Sequence, residues 1–166
     1  VRLSMIASEF RASAKGVKHY LNVIEYLGSR GIQVQDRKIV VVPSGNITPN
    51  VELVKHYNDI DIFICLSESE TGPQPCFEAL ACGTVVITTK VGLIQEVVRN
   101  DYNGYLIDDR DNIEEVGDTI IKYLSYSHDR KREMSDNCLE SVKSYDWKYQ
   151  VRNYQVMLDH YFGETM

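Results

Sequence analysis

The sequence predicts a doubly wound α/β domain, in which helices cover both faces of a parallel β-sheet. Strand-like and helix-like segments alternate along the chain, which is the order of a parallel sheet joined by helical crossovers. The strand-like segments are continuous apolar runs, as expected for strands that are buried on both faces. The length of 166 residues fits one domain. In such domains, ligands bind beyond the carboxyl ends of the strands, so the loops at that edge are the ones to examine.

The first part of the chain predicts three strands and two helices. Residues 3–7, 38–43 and 60–66 are apolar or β-branched runs that predict strands. A helix begins at about Lys15, and a second one begins at Thr48-Pro49, where Thr is a good cap and Pro suits the first turn. The residues expected to face the core are Val17, Tyr20, Leu21, Ile24 and Leu27 in the first helix and Val51, Val54 and Tyr57 in the second.

The rest of the chain adds two strands and five helices. A short helix of residues 76–82 ends at Gly83, and a β-branched strand follows at residues 84–88. Residues 93–99 predict another short helix and residues 105–107 a last strand. Three helices finish the chain: one capped by Asp111 or Asn112, one over residues 129–145, and one after Asp146.

Composition excludes some classes of function and suggests a compartment. The formal net charge of −6 argues against general nucleic-acid binding, which needs clustered cations, but permits a nucleotide ligand. The four cysteines form no C-x-x-C pair and three lie in apolar runs, which predicts buried free thiols in a reducing compartment such as the cytoplasm. The chain begins directly in a strand, without a signal peptide, so we expect one domain of a longer protein.

The loop and helix of residues 67–83 carry the most informative chemistry. Glu70 lies in a Gly/Pro-rich loop after a strand, and Glu78 lies in what we expect to be the first turn of the next helix. Carboxylates can accept paired hydrogen bonds from sugar hydroxyls, and free amides at a helix start can hold phosphate. The alternative is an exposed loop acid at Glu70 and an acid that only favours the helix dipole at Glu78.

This region resembles the retaining glycosyltransferases of the GT-B type, which have two Rossmann-like domains and include glycogen synthase and sucrose synthase. Their signature is two glutamates separated by seven residues, followed by a small-residue helix that ends in Ala-Cys-Gly and then by a strand. Glu70 and Glu78 have that spacing, and residues 78–88 continue the pattern. Gly92, residues 96–98 and 103–107, and Tyr145-Asp-Trp147 resemble later landmarks of the family, so the resemblance spans almost the whole chain.

The resemblance implies roles for specific residues. Glu78 would bind the ribose hydroxyls of a nucleotide-sugar donor, and Glu70 would contact the transferred sugar. Lys15 and Arg11 would stabilise the negative charge that develops on the leaving diphosphate. The loop expected to meet the sugar and the diphosphate consists of Thr71, Gly72, Pro73, Gln74 and Pro75, and the turn expected to read the base consists of Gly45, Asn46 and Ile47.

Three positions depart from the family pattern. Residues 71–73 replace the usual Gly-Phe-Gly, and the prolines at 73 and 75 remove two amide donors. Leu93 stands where the family usually has the second Gly of a pair, and Arg11 is one residue closer to Lys15 than usual. The altered loop affects the expected contacts with phosphate and the choice of sugar.

No metal or cofactor is expected beyond the nucleotide diphosphate sugar itself. The pair Asp59 and Asp61 could hold a metal–diphosphate in other enzymes, but it precedes a buried strand, at the edge of the sheet opposite to ligands. We interpret these two residues as solvated acids. The four histidines lack metal-ligand spacing, and neither G-x-G-x-x-G nor a Walker loop is present.

The sequence therefore predicts one nucleotide-sugar-binding domain over residues 1–166. Residues 146–166 are expected to form a closing helix that packs toward an N-terminal acceptor domain outside this chain. The predicted enzyme transfers a hexose to a hydroxyl acceptor in polysaccharide, lipopolysaccharide or glycolipid synthesis, in the cytoplasm or at the inner face of the membrane through its other half. We expect the isolated domain to be inactive. Two alternatives remain open: a non-catalytic nucleotide-sugar-binding module and a nucleotide-sugar epimerase-like domain.

Overall fold

A computed structural model describes residues 1–8, 11–41 and 50–163, and it shows a parallel sheet flanked by helices, which confirms the predicted fold class. The strands are β1 (Arg2–Ser4), β2 (Ile6–Ser8), β3 (Gln35–Asp36), β4 (Ile39–Val41), β5 (Ile62–Cys65), β6 (Val85–Thr89) and β7 (Gly104–Ile107). The helices are α1 (Val17–Ser29), α2 (Asn50–Asn58), α3 (Gln74–Ala81), α4 (Ile94–Val97), α5 (Ile113–Leu124), α6 (His128–Val142) and α7 (Trp147–Phe162), with a short 3-10 helix (Lys143–Tyr145) before α7.

The sheet reverses its strand order next to the first strand. Five strands have the order β3-β1-β5-β6-β7, and β2 pairs with β4 in a parallel continuation of the β1–β3 ladder. The amide of Ile39 donates to the carbonyl of Met5 at 2.9 Å, so hydrogen bonding continues through the interruption. If β1 with β2 is counted as the first strand and β3 with β4 as the second, the strands lie across the sheet in the order second, first, third, fourth and fifth. The switch point lies between the first strand and β5, which is where ligands bind in doubly wound sheets.

The two strands at the switch point separate as they approach their carboxyl ends. β1 pairs with β5 through Leu3–Ile62 and Ser4–Phe63, whereas the pairing of β2 within the described residues is with β4 on its other side. A small cavity of 10 Å³ fills the space that opens between them. The loops after β2 and after β5 thus begin on either side of this opening.

The helices pack in two groups on the apolar sheet. α1 packs against α5, and α3 packs against α6 and α2. The approach of α1 to α5 is close, since a Cβ at Gly117 would overlap the ring of Tyr26. β5 and β6 are buried along their full length, so the core forms on both sides of these central strands. The buried strands explain why the sequence shows continuous apolar runs rather than alternation.

Most predicted elements are present, with different bounds. The closing helices begin as expected, since Asn112 accepts from the amide of Glu115 and Asp146 accepts from the amide of Lys148. The sequence missed β3, a two-residue edge strand whose side chains are exposed and carry no apolar signal. The predicted start of α2 at Thr48 lies outside the described residues.

Three residues expected in the core lie on the surface instead. Leu21, Val51 and Val54 are exposed, and Val51 is 66% exposed. Among the apolar residues of α2, only Tyr57 is buried, and it lies where α2 contacts α3 through the hydrogen bond to Glu78. The prediction of a helix is therefore confirmed for this segment, but fewer of its apolar residues are buried than predicted.

The cysteines and the acidic pair occupy structural positions. All four cysteines are free, and Cys65, Cys76 and Cys138 are buried, as the sequence predicts. Asp59 and Asp61 pair with Arg2 at 3.0 and 2.7 Å before β5 begins. They lie at the amino-terminal edge of the sheet, away from the switch point. Among the described residues, no group of three potential ligands could hold a metal ion.

Helix α7 presents an unburied apolar side to solvent. Four apolar residues recur along it at helical spacing and are exposed, namely Val151, Tyr154, Leu158 and Tyr161. The sequence predicts a closing helix for this segment, and its packing toward a second domain stays a prediction. No helix among the described ranges is long and apolar enough to cross a membrane.

Replacing Leu158 by Ala should change the free energy of unfolding by no more than about 0.5 kcal/mol, because the side chain is already 45% exposed. The matched control is Leu27→Ala on α1, where the same change removes a fully buried side chain and should cost about 2–5 kcal/mol. Urea unfolding of both variants measures the difference. Equal losses would contradict the assignment of α7 as an unpacked helix.

Candidate functional site

Lys15 and Glu70 form an ion pair at the switch point of the sheet. Lys15 lies in the loop after β2, and Glu70 lies in the loop after β5. Their side chains are only 22% and 13% exposed, so both charges are largely removed from water. An unpaired charge in such a position would cost roughly several kcal/mol, and each residue stabilises the other's charge. The fold thus brings together two of the residues that the sequence predicts at the site.

Two glycines let the neighbouring loops pack directly on the backbone around Glu70. Gly16 has φ +76°, and a Cβ there would overlap the carbonyl group of Leu66. Gly92 has φ +49°, and a Cβ there would overlap the carbonyl groups of Glu70 and Thr71. The loop of residues 66–73 is therefore held between the start of α1 and the loop after β6. A side chain at either glycine would force these backbones apart.

Glu78 is placed differently from the prediction. Helix α3 begins at Gln74 because Pro73 takes the cap position and Pro75 follows inside the first turn, where its missing amide costs no helical hydrogen bond. Glu78 therefore lies in the second turn, and the interpretation as a first-turn acid is wrong. Glu70 is likewise not the exposed loop acid of the alternative interpretation, since it is mostly buried and paired.

The buried hydroxyl of Tyr57 holds the carboxylate of Glu78. Tyr57 donates to Oε2 of Glu78 at 2.8 Å from α2, and its side chain is 1% exposed. Burial, and then the negative charge of Glu78, raises the pKa of Tyr57 well above its ordinary value, so the phenol stays protonated and remains a donor. One oxygen of Glu78 is fixed in this way, and the carboxylate has further acceptor positions for a ligand.

Sequence reasoning missed Tyr57 as a site residue. We expected it in the core of α2, where it is found, but gave its hydroxyl no role. A signal was available, because a buried tyrosine usually needs a hydrogen-bond partner, whereas phenylalanine or leucine at a core position does not. The identity of the partner was not available, since Glu78 follows 21 residues later and only the packing of α2 on α3 brings the two together.

An open cavity of 660 Å³ lies beside Glu78. Its volume is in the range of small-molecule and cofactor sites. Three of the predicted residues line it, namely Gly72, Gln74 and Glu78. The sequence analysis gave no binding role to the remaining lining residues, which are Phe77, Ala81, Leu93, Leu139, Val142, Lys143, Tyr145, Asp146, Gln150 and Tyr154. Lys15 and Glu70 do not line this cavity, and Lys15 instead lines the small cavity between the first strand and β5.

The loop between the two glutamates presents backbone donors. Thr71, Gly72 and Gln74 are exposed, and within the described ranges their amides donate to no protein acceptor. The amide of Cys76 is already used, since it donates to the carbonyl of Pro73 at 2.8 Å. The prolines thus leave three amides in this stretch that an anionic or polar ligand could accept from.

The structure gives less information on two other predictions, the cation Arg11 and the base-reading turn. Arg11 is exposed on the turn that precedes α1, and its carbonyl accepts from the amide of Lys15 at 2.8 Å. The base-reading turn of Gly45, Asn46 and Ile47 lies outside the described residues. Arg11 therefore shares the loop of Lys15, and the structure does not place the turn.

These features define a class of protein: a Rossmann-like α/β domain with a pair of charged side chains at the switch point of its sheet, where ligands bind in such domains. The family follows from comparison with known proteins, because the model of the family described as glycosyl transferases group 1 matches residues 44–140. The chain belongs to this family.

Curated relatives agree with this assignment. Spore coat protein SA of Bacillus subtilis (strain 168) is 26% identical over 133 residues, which are 80% of this chain and 34% of that protein. N-acetyl-alpha-D-glucosaminyl L-malate synthase of Bacillus anthracis is 29% identical over 113 residues, which are 68% of this chain and 28% of the synthase. The chain thus spans about a third of the length of these relatives or less.

A solved structure shares the fold. The C-terminal domain of a glycosyl transferase group 1 family protein from Francisella tularensis has a TM-score of 0.72 and 18% sequence identity. The match covers 86% of this chain and 84% of that domain. The architecture is therefore that of a GT-B C-terminal domain, as the sequence predicts.

Gly16→Ala should destabilise the chain more than Gly31→Ala. The two glycines have nearly the same φ, +76° and +78°, so alanine meets the same backbone strain of roughly 1–2 kcal/mol at both. Only at position 16 does the new Cβ also overlap the backbone of Leu66, which adds about 1–3 kcal/mol. Urea unfolding compares the two, and equal losses would show that the loops can separate without cost.

A double-mutant cycle measures the pair of Lys15 and Glu70. Lys15→Met and Glu70→Gln should each lower the free energy of unfolding, and together they should lose less than the sum by about 0.5–3 kcal/mol. The control cycle is Lys90→Met with Asp108→Asn, an exposed pair whose coupling should stay below about 1 kcal/mol. Additive losses at Lys15 and Glu70 would contradict their direct interaction.

Proposed function

We propose that this chain is the donor-binding domain of a retaining glycosyltransferase that moves a hexose from a nucleotide diphosphate sugar to a hydroxyl acceptor. The observation that carries the proposal is the Lys15–Glu70 pair at the switch point, in a chain of the glycosyl transferases group 1 family. A cation and a carboxylate held side by side suit the two ends of a sugar–phosphate bond. The cation meets the diphosphate and the carboxylate meets the sugar.

Lys15 is the proposed partner of the leaving diphosphate. Its ammonium has three N–H donors, and the salt bridge with Glu70 leaves donors for phosphate oxygens. Because both side chains are mostly buried, the ammonium is held in place before the donor arrives, and its charge is poorly screened. Arg11 on the same turn is the second proposed cation, at an exposed position from which it can reach the diphosphate.

Glu78 is the proposed ligand of the ribose hydroxyls. Its support is the fixed carboxylate geometry that Tyr57 provides and the neighbouring 660 Å³ cavity. The amides of Thr71, Gly72 and Gln74 lie between the two glutamates in sequence and are the proposed donors to the sugar and the diphosphate. Pro73 and Pro75 belong to the same proposed contact segment, but neither has an amide hydrogen to donate.

The proposed reaction keeps the configuration at the anomeric carbon. The bond between that carbon and the diphosphate oxygen breaks, and the acceptor oxygen bonds to the same face. The acceptor proton passes to the leaving diphosphate, so the chain supplies no nucleophile, metal or further cofactor. Lys15 stabilises the charge that develops on the diphosphate, and Glu70 orients the sugar.

The acceptor site is proposed to lie in a second domain outside this chain. The chain spans only 34% of the length of its relative from Bacillus subtilis, and the exposed apolar side of α7 is of the kind that interfaces bury. Residues 146–166 are thus proposed to pack toward that domain. By itself the chain is expected to bind donor weakly and to transfer nothing, since transfer needs donor and acceptor held in one cleft. The proposed role in polysaccharide, lipopolysaccharide or glycolipid synthesis follows from the same family resemblance.

A panel of nucleoside diphosphates and nucleotide sugars tests the function by thermal shift and calorimetry. One responding base is expected, and binding raises the stability of the native state by RT ln(1 + [L]/Kd). Glu78→Ala should weaken binding about tenfold or more, since it removes the hydrogen-bonded carboxylate. The control Glu96→Ala changes an exposed acid of α4 and should leave binding unchanged.

The outcomes separate the proposal from its rivals. Binding that is lost in Glu78→Ala and kept in Glu96→Ala supports a donor site. Binding of nucleotide sugar without transfer, when the chain is joined to its second domain and given acceptors, favours a non-catalytic binding module. Release of free sugar or of a changed epimer points to an epimerase-like domain. A folded chain that binds nothing in the panel contradicts the proposal.

A further inference from the structure

The guanidinium of Arg110 connects the two loops that carry Lys15 and Glu70. Arg110 lies between β7 and α5, and its Nη1 donates to the carbonyls of Ala14 and Leu66 at 3.4 and 3.5 Å. Its Nη2 donates to Oε2 of Glu68 at 3.2 Å. Ala14 directly precedes Lys15, and Glu68 is two residues before Glu70. One side chain from a third loop therefore contacts both sides of the switch point.

The two loops also contact each other where Arg110 holds them. The amide of Glu68 donates to the carbonyl of Ala14 at 2.9 Å, so this carbonyl accepts from both Glu68 and Arg110. The Arg110 side chain is only 20% exposed, whereas that of Glu68 is 69% exposed. The solvated ion pair with Glu68 therefore contributes little, and the contacts of the guanidinium that are partly shielded from water are those with the two backbone carbonyls.

We propose that Arg110 is a positioning residue, which acts through the backbone to keep Lys15 and Glu70 aligned on the sugar–diphosphate bond of the donor. This inference rests on the proposed function. The planar guanidinium of arginine has five N–H donors and can bond to three acceptors on two loops at once. A lysine ammonium on its flexible side chain cannot hold these acceptors in the same relative geometry. Glu78 and Tyr57 contact none of these groups, so the ribose end of the site does not depend on Arg110.

Arg110→Met and Arg110→Lys test the proposal. Both should weaken binding of the responding nucleotide sugar about tenfold, a loss comparable to about one hydrogen bond. The affinity for the corresponding nucleoside monophosphate, which keeps the ribose but lacks the transferred sugar and the second phosphate, should change less than about twofold. Amide hydrogen exchange of residues 66–71 should become faster in Arg110→Met. The matched control is Arg130→Met on α6, which also loses bonds to a carbonyl and a carboxylate, those of Asp101 and Glu133.

Each result decides the proposal. A loss confined to the nucleotide sugar, shared by both variants and absent from the control, supports it. Equal losses for sugar nucleotide and monophosphate would show a general structural role and overturn it, as would unchanged affinities. If Arg110→Met does not fold, Arg110→Lys decides by the same comparison. If the unaltered chain binds neither ligand, the proposed function itself fails, and the role of Arg110 fails with it.

Discussion

The close contact between the start of α1 and the backbone after β5 is the constraint on which the rest of the site depends. The first strand runs beside β5 only as far as Ser4 and then leaves it, so the two following loops start apart and must meet again above the sheet. They meet at Gly16, which has positive φ and no side chain between its backbone and Leu66. This contact sets the distance between the loops and places Lys15 next to Glu70.

The charges at this point are local and do not follow the charge of the whole chain. A protein with a formal net charge of −6 would repel a diphosphate at long range, but salt screens such repulsion beyond about 8–10 Å. Within that distance the local charges count most, and these are the mostly buried pair of Lys15 and Glu70 and the guanidinium of Arg110, which contacts the same loops from a third one. Glu70 holds the ammonium in place and lowers the cost of keeping it in a dry position. The two charges are thus held in fixed positions, unlike flexible charges on the surface.

Helix α7 differs from the site, because its residue pattern and its surroundings do not agree. Val151, Tyr154, Leu158 and Tyr161 follow the spacing of a packed helix, yet these four residues are exposed. Its start is well defined, because Asp146 caps it and Gln150 donates to the carbonyl of Ser144 at 2.7 Å. The exposed apolar side of α7 is the surface that we propose to pack against a second domain outside this chain. The partial coverage of the relatives agrees with this interpretation.

The sequence by itself determined the type of most elements, the parallel sheet and the spacing of Glu70 and Glu78. These features are local or periodic: apolar runs define strands, helical spacing defines helices, and the glutamates have a fixed separation within one loop and helix. Only the tertiary structure decided which of the polar groups meet. The partners of Glu70 and Glu78 are Lys15 and Tyr57, which lie 55 and 21 residues away, and no spacing rule relates them. The start of α3 at Gln74 and the bridging by Arg110 from beyond β7 were likewise undetermined, because hydrogen bonds across loops depend on how the backbone packs.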